Sequence, residues 1–210
     1  MKIKSSSTSD ACQDDFVLKM LDYPDDGYFV DLGSGASHKS SNSLRLEEAG
    51  WNGICVDMQN YPGYSERKCK FFVNNALQID YYSLLKDCDA PEVIDYLSLD
   101  IDEYTTELLK LMPLDKYQFK IITIEHDAYL REPEFRLQQR FILNEAGYYL
   151  LCADVWPDSL RRLNIAGGPF EDWWVKKEFF SEELLTKMKC ENLYGSKVVN
   201  KFGLSSFEIM

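Results

Sequence analysis

Short apolar runs alternate with longer polar or amphipathic stretches along most of this chain. The runs 28–32, 53–57, 71–73, 93–99, 119–124 and 148–153 have strand length and are rich in β-branched and aromatic residues. Segments of helical period separate them. A polar, Ser-rich stretch over 33–43 follows the first run. Asn42 or Ser43 is placed there to cap a helix that runs to Ala49 and stops at Gly50. Residues 81–88 predict a short helix. The helix after the fourth run sets Tyr104, Leu108 and Leu111 on one face. A further helix has Pro133 near its first position and Gly147 just past its end, the expected asymmetry. Trp173, Trp174 and Val175 read as an edge strand, and Ser181 to Leu185 open a last helix.

Strands that alternate with helices predict an α/β, Rossmann-like fold: a mostly parallel sheet with helices on both faces. Residues 1–10 are polar and are expected to fray, and 11–210 read as one domain without internal repeats. In such sheets ligands bind outside the carboxyl ends of the strands. The first, second, fourth and fifth runs end at or beside Asp31, Asp57, Asp100 and Glu125.

The first run leads into Asp31-Leu-Gly33-Ser34-Gly35, and the second ends at Asp57-Met58. Strand, glycine turn, helix, strand and acid suit a nucleoside cofactor. The glycines let it approach the backbone, and the distal carboxylate accepts hydrogen bonds from ribose hydroxyls. A phosphate-binding loop would need a second glycine where His38 stands, and a dinucleotide fingerprint would need its third glycine there. S-adenosylmethionine carries no pyrophosphate and needs neither, so it is the favoured cofactor. A dinucleotide and a plain βαβ unit without ligand remain the alternatives. Asp100, Asp102, Glu125, His126 and Asp127 stand at two adjacent strand ends. Asp100, Asp102 and Glu125 are hard oxygen donors able to hold Mg²⁺. Asp102 and His126 are candidates to take a proton from an acceptor hydroxyl. A second reading gives Asp100 to the cofactor amine and lets Asp102 and Glu103 cap the next helix.

Composition narrows the partners. The chain has 210 residues, 45% hydrophobic and 14% aromatic, as in a globular domain. A net charge of −12 opposes binding to phosphate backbones, so no nucleic-acid partner is expected. No apolar run is long enough to cross a membrane, and no secretory signal opens the sequence. Six cysteines lack any Cys-x-x-Cys pair and only two histidines occur, which excludes the usual structural zinc sites. The thiols are expected to be reduced, in a cytoplasmic protein, with Cys55 and Cys152 as core filler.

Several of these motifs, in this order, resemble FkbM-type methyltransferases. They are Phe29 to Gly35, Ser41-Asn-Ser43, Leu46-Glu-Glu48, Gly50 to Asp57, Phe72 to Ala76, Tyr96 to Asp102, Ile122 to Glu125, and Phe170 to Val175. The resemblance covers about residues 27–180. It implies a class I methyltransferase fold, S-adenosylmethionine as cofactor, and O-methylation of a sugar, glycan or other small hydroxyl-bearing acceptor. It matches Asp31, Gly33 and Gly35 to the cofactor turn, Asp57 to the ribose acid, and Asn75 and Ala76 to the adenine-side loop. Asp100 and Asp102 match an acidic pair after the fourth strand, and Glu125 the acid on the fifth. The family often has Asp-Val-Glu-Gly after strand four; here Asp100-Ile-Asp-Glu103 has no glycine. A non-catalytic nucleotide-binding module and an NAD-dependent oxidoreductase are the competing functions.

Overall fold

Successive residues of the apolar runs enter different cores. Tyr96, Ile121 and Trp173 pack into one apolar cluster, whereas Leu97, Ile122 and Trp174 pack into the other. That is the two-residue period of a sheet covered on both faces. The computed structural model describes residues 6–158 and 168–203. Its strands are β1 (Tyr28–Leu32), β2 (Asn52–Asp57), β3 (Lys70–Val73), β4 (Val93–Leu99), β5 (Gln118–Glu125), β6 (Tyr149–Val155), β7 (Glu171–Val175) and β8 (Cys190–Glu191). They form one sheet in the order β3-β2-β1-β4-β5-β7-β6-β8. Only β7 runs antiparallel to its neighbours, β5 and β6.

The helices among the described residues are α1 (Gln13–Met20), α2 (Leu44–Glu48), α3 (Tyr81–Asp87), α4 (Thr105–Leu111), α5 (Pro133–Glu145), α6 (Glu182–Met188) and α7 (Gly195–Val199). One core holds Phe16 and Val17 of α1 with Leu185 and Met188 of α6 and Val198 of α7. The Phe16 and Trp173 rings lie 4.3 Å apart there. The other core gathers Tyr81 and Leu85 of α3, Leu108 and Leu109 of α4 and Leu143 of α5. The α/β class is as expected, and strand and helix bounds agree with the apolar pattern to within two or three residues.

Four local expectations change. Trp173, Trp174 and Val175 do not form an edge: β7 lies between β5 and β6 with all five residues buried. An apolar run without alternation signals a strand covered on both faces, which is an interior position. The cap of α2 comes from Ser41, whose Oγ accepts from the Leu44 N–H at 3.1 Å. The Ser43 hydroxyl instead donates to Asp31 at 2.7 Å. On α4 the buried face is Thr105, Thr106, Leu108 and Leu109, while Tyr104 and Leu111 are exposed. The polar start is anchored from Ser7 onward. Thr8 hydrogen-bonds Asp14 and the Ser41 carbonyl, and Ser9 is buried. Residues 1–5 lie outside the described part.

Candidate functional site

A cavity of about 650 Å³ opens at the carboxyl ends of β1, β2, β3 and β4. Its floor is the turn after β1. Gly33 has φ +82°, and a Cβ there would sit 1.6 Å from the Asp100 carbonyl oxygen. Only glycine allows the turns after β1 and β4 to come this close. Gly35 also has positive φ, but a Cβ there would meet nothing within 4 Å. The backbone at Gly35 is therefore open to a ligand, whereas Gly33 is required by the protein itself.

Asp57 closes the far side. Its two oxygens accept from the Gly35 and Gln59 N–H groups, each at 2.9 Å. These bonds fix the carboxylate and leave lone pairs for two further donors, as a ribose diol would supply. Met58, Asn75 and Ala76 line the same wall. The Asn75 side chain caps the short turn behind it by accepting from the Leu77 N–H at 2.9 Å. Asp100 and Asp102 line the opposite wall, with Tyr104 at its rim.

Two expected cofactor residues stand behind the cavity rather than in it. Asp31 is fully buried and is held by the Ser43 hydroxyl, beside the buried Arg67. Arg67 in turn donates to Glu47 at 3.1 Å, to the Ser37 carbonyl at 2.8 Å and to Ser43 at 3.1 Å. The Ser34 hydroxyl accepts from Tyr64 at 2.8 Å and is also buried. Asp31 and Ser34 thus brace the glycine turn. Arg67 and Tyr64 belong to a stretch whose sequence reads only as a loop, and no periodicity marks them.

Beyond Asp100 lies a cluster of acids. Asp102, Glu125 and Asp127 bring carboxylate oxygens within 4.8 Å of one another. Asp102 and Asp127 both adopt left-handed backbone, φ +54° and +46°. Such conformations are uncommon for residues other than glycine and gather at functional sites. Glu125 accepts from the Asp102 N–H at 3.1 Å. Burial, and then the adjacent Asp100 charge, push Glu125 far above the ordinary carboxylate range. Burial also raises Asp100, while its hydrogen bond with Glu125 opposes the rise. Asp127 is raised by burial and pulled back by Arg131.

The geometry revises the expected metal set. Asp127, not Asp100, brings its oxygen together with those of Asp102 and Glu125. Their oxygens are of the kind a hard cation takes once Glu125 gives up its proton, and Asp102 is exposed toward solvent.

His126 does not line the cavity. Its side chain is wholly buried, with Nε2 3.5 Å from both Asp154 and Asp172. Its Nδ1 accepts from the Ala128 N–H at 3.1 Å. Strand alternation explains this: Glu125 ends β5 facing the cavity side, so the next side chain turns away. Around His126, Arg140 grips Asp172 through two bonds of 2.7 and 2.8 Å and reaches Asp154 at 3.0 Å. Arg136 also pairs with Asp154, at 2.5 Å. Two guanidinium groups already neutralise these acids, so the set does not suit a cation. Among the described residues no helix is long and apolar enough to cross a membrane.

Comparisons with protein-family models and with curated proteins find no match. Solved structures do match. The Burkholderia thailandensis 1,6-didemethyltoxoflavin-N1-methyltransferase, solved with S-adenosylhomocysteine, aligns with a TM-score of 0.50 at 13% identity. The alignment covers 78% of this chain and 76% of that one. Spermidine synthase from Thermotoga maritima aligns with a TM-score of 0.51 at 13% identity, covering 91% of this chain and 70% of that one. These likenesses show the Rossmann-like α/β fold. They do not show the FkbM family.

Proposed function

We propose that this chain is an S-adenosylmethionine-dependent methyltransferase that methylates a hydroxyl on a small acceptor. The observation that carries the reading is the cavity lined by Gly35 and the bonded Asp57, with Asp100 and Asp102 on its opposite wall. S-adenosylhomocysteine in one similar structure supports the cofactor, and the FkbM-type motifs support an oxygen acceptor of the sugar or glycan kind. The free thiols of all six cysteines suit a reducing, cytoplasmic setting.

In this reading Asp57 accepts from the ribose hydroxyls, and the open backbone at Gly35 leaves room for the nucleoside. Met58, Asn75 and Ala76 form the base-side wall. The cofactor supplies an electrophilic methyl on a sulfonium. An alcohol is a weak nucleophile at neutral pH, so its proton needs an acceptor. Asp102 fills that role, because it lines the cavity and is exposed, whereas His126 is sealed behind the strand. Asp100, next to the cavity and short of a cation partner, suits the cofactor's ammonium group. Were Mg²⁺ bound, Asp102, Glu125 and Asp127 would hold it, and it would lower the acceptor's pKa.

Calorimetry with S-adenosylmethionine, S-adenosylhomocysteine and NAD tests the assignment. Binding of the first two without NAD is expected. Tight NAD binding would favour an oxidoreductase, and no binding would favour an interaction module. Loss of turnover in EDTA, restored by Mg²⁺, would establish the metal; full activity in EDTA would remove it.

A further inference from the structure

One pair of sulfur groups lies outside the machinery described above. Cys152 of β6 and Cys190 of β8 are direct partners on adjacent parallel strands. Being in register on parallel neighbours, the two side chains lie on the same face of the sheet, and each thiol acts on the other's titration. Neighbouring strands lie about 4.8 Å apart, within the Cα separation of roughly 4.4–6.8 Å that disulfides span. The two sulfurs differ in setting. Cys152 is fully buried, with Sγ 3.6 Å from the Met188 carbonyl oxygen, and burial pushes its thiol up. Cys190 is only partly buried. Its thiol is held below the usual range by the Cys152 thiol and by Lys201 and Lys189. These lysines are anchored: Lys201 donates to the Lys189 carbonyl at 2.7 Å, and Lys189 to the Leu150 carbonyl. An accessible thiolate beside a buried resolving thiol is the arrangement of a peroxide-sensitive dithiol.

We propose that Cys152 and Cys190 form a covalent modification site, a dithiol that hydrogen peroxide oxidises to a disulfide joining β6 to β8. The Cys190 thiolate attacks one peroxide oxygen; the S–O bond forms, the O–O bond breaks and hydroxide leaves. The Cys152 sulfur then attacks the sulfenic sulfur; the S–S bond forms, the S–O bond breaks, and the hydroxyl leaves as water with the Cys152 proton. The two sulfurs lose the two electrons that the peroxide gains. The product fastens the strand and helix segment 190–203 to the sheet. Cys55 and Cys69 provide an internal control. Their thiols also act on one another, but both are buried and burial raises Cys55.

The test treats the reduced full chain with hydrogen peroxide, then alkylates it in denaturant and maps peptides by mass. The expected result is a Cys152–Cys190 cross-link that forms before any Cys55–Cys69 loss and is reversed by dithiothreitol. In Cys152→Ser, dimedone should trap a sulfenic acid at Cys190. The proposal is overturned if Cys190 stays alkylatable while other cysteines oxidise. It is equally overturned if Cys190 reaches the sulfinic state without cross-linking.

Discussion

Two groups of acids stand side by side at the carboxyl end of this sheet, and their surroundings are opposite. Asp154 and Asp172, on β6 and β7, are buried against Arg136 and Arg140. Against the burial that would raise it, two hydrogen bonds from Arg140 and the nearby His126 hold Asp172 down at about 2. Asp100, Asp102, Glu125 and Asp127, at the carboxyl ends of β4 and β5, have no salt bridge among the described residues; Arg131 acts on Asp127 but pairs with Glu103. There burial and mutual repulsion raise Glu125. The first group is compensated inside the fold. The second lacks an ion pair among the described residues, and its Asp100 and Asp102 line the cavity. Uncompensated buried carboxylates are costly, and they cluster at functional sites. His126 belongs to the first group, although it is adjacent in sequence to Glu125 of the second.

Breaking each group should therefore have a different consequence. The largest effect is expected from Asp102→Asn, which removes the proposed proton acceptor. Turnover should fall about 10²–10⁴-fold while S-adenosylhomocysteine affinity stays near that of the parent. Equal losses of turnover and affinity would show that Asp102 only shapes the cavity.

Arg140→Ala attacks the compensated group. Removing one partner of a buried ion pair leaves charge stranded and should cost about 3–5 kcal/mol in urea unfolding. The pH dependence has a definite sign. Asp172 has a folded pKa below its ordinary 3.8, so its stabilisation is complete above that value and is lost as pH falls toward about 2. The variant should lose this acid-side decline. A parent-like acid transition in the variant would break the contrast between the groups.

Glu125→Gln probes the other group with a smaller effect. Glu125 is raised in the fold, so its contribution is present below the ordinary value of 4.5 and is lost as pH rises through its folded pKa. Glutamine copies the protonated form and cannot ionise. The variant should match the parent at acid pH and exceed it at alkaline pH by about 1–3 kcal/mol. An alkaline decline as steep as the parent's would show that Glu125 is ionised in the fold. The smallest effect is assigned to His126→Asn, whose turnover, measured on the folded fraction, should remain close to that of the parent. Abolished turnover would return His126 to the chemistry.

The same contrast explains what the sequence made legible. The period-two runs and the glycine turn gave β1 to β6, and the acids at strand ends pointed to the cavity wall. Gly33, Gly35, Asp57, Met58, Asn75, Ala76, Asp100 and Asp102 all line it. Sequence could not separate residues that face the cavity from those bracing it, as with Asp31 and Ser34. Their roles depend on Ser43, Arg67 and Tyr64, which are distant along the chain. Nor could it orient His126, because Arg136, Arg140, Asp154 and Asp172 meet it only after β7 inserts between β5 and β6. The antiparallel insertion of β7 has no local signature beyond the short apolar run Trp173 to Val175.

The central claim is that the cavity lined by Gly35 and Asp57 holds an S-adenosyl cofactor. Titration calorimetry of S-adenosylhomocysteine into the parent and into Asp57→Ala tests it directly. The account predicts binding to one site on the parent. The variant should bind about 1.5–3 kcal/mol more weakly, the worth of a hydrogen bond to a charged acceptor, or roughly 10–150-fold. Equal affinity in the two proteins would contradict the ribose role of Asp57, and no heat in either would contradict the cofactor site itself.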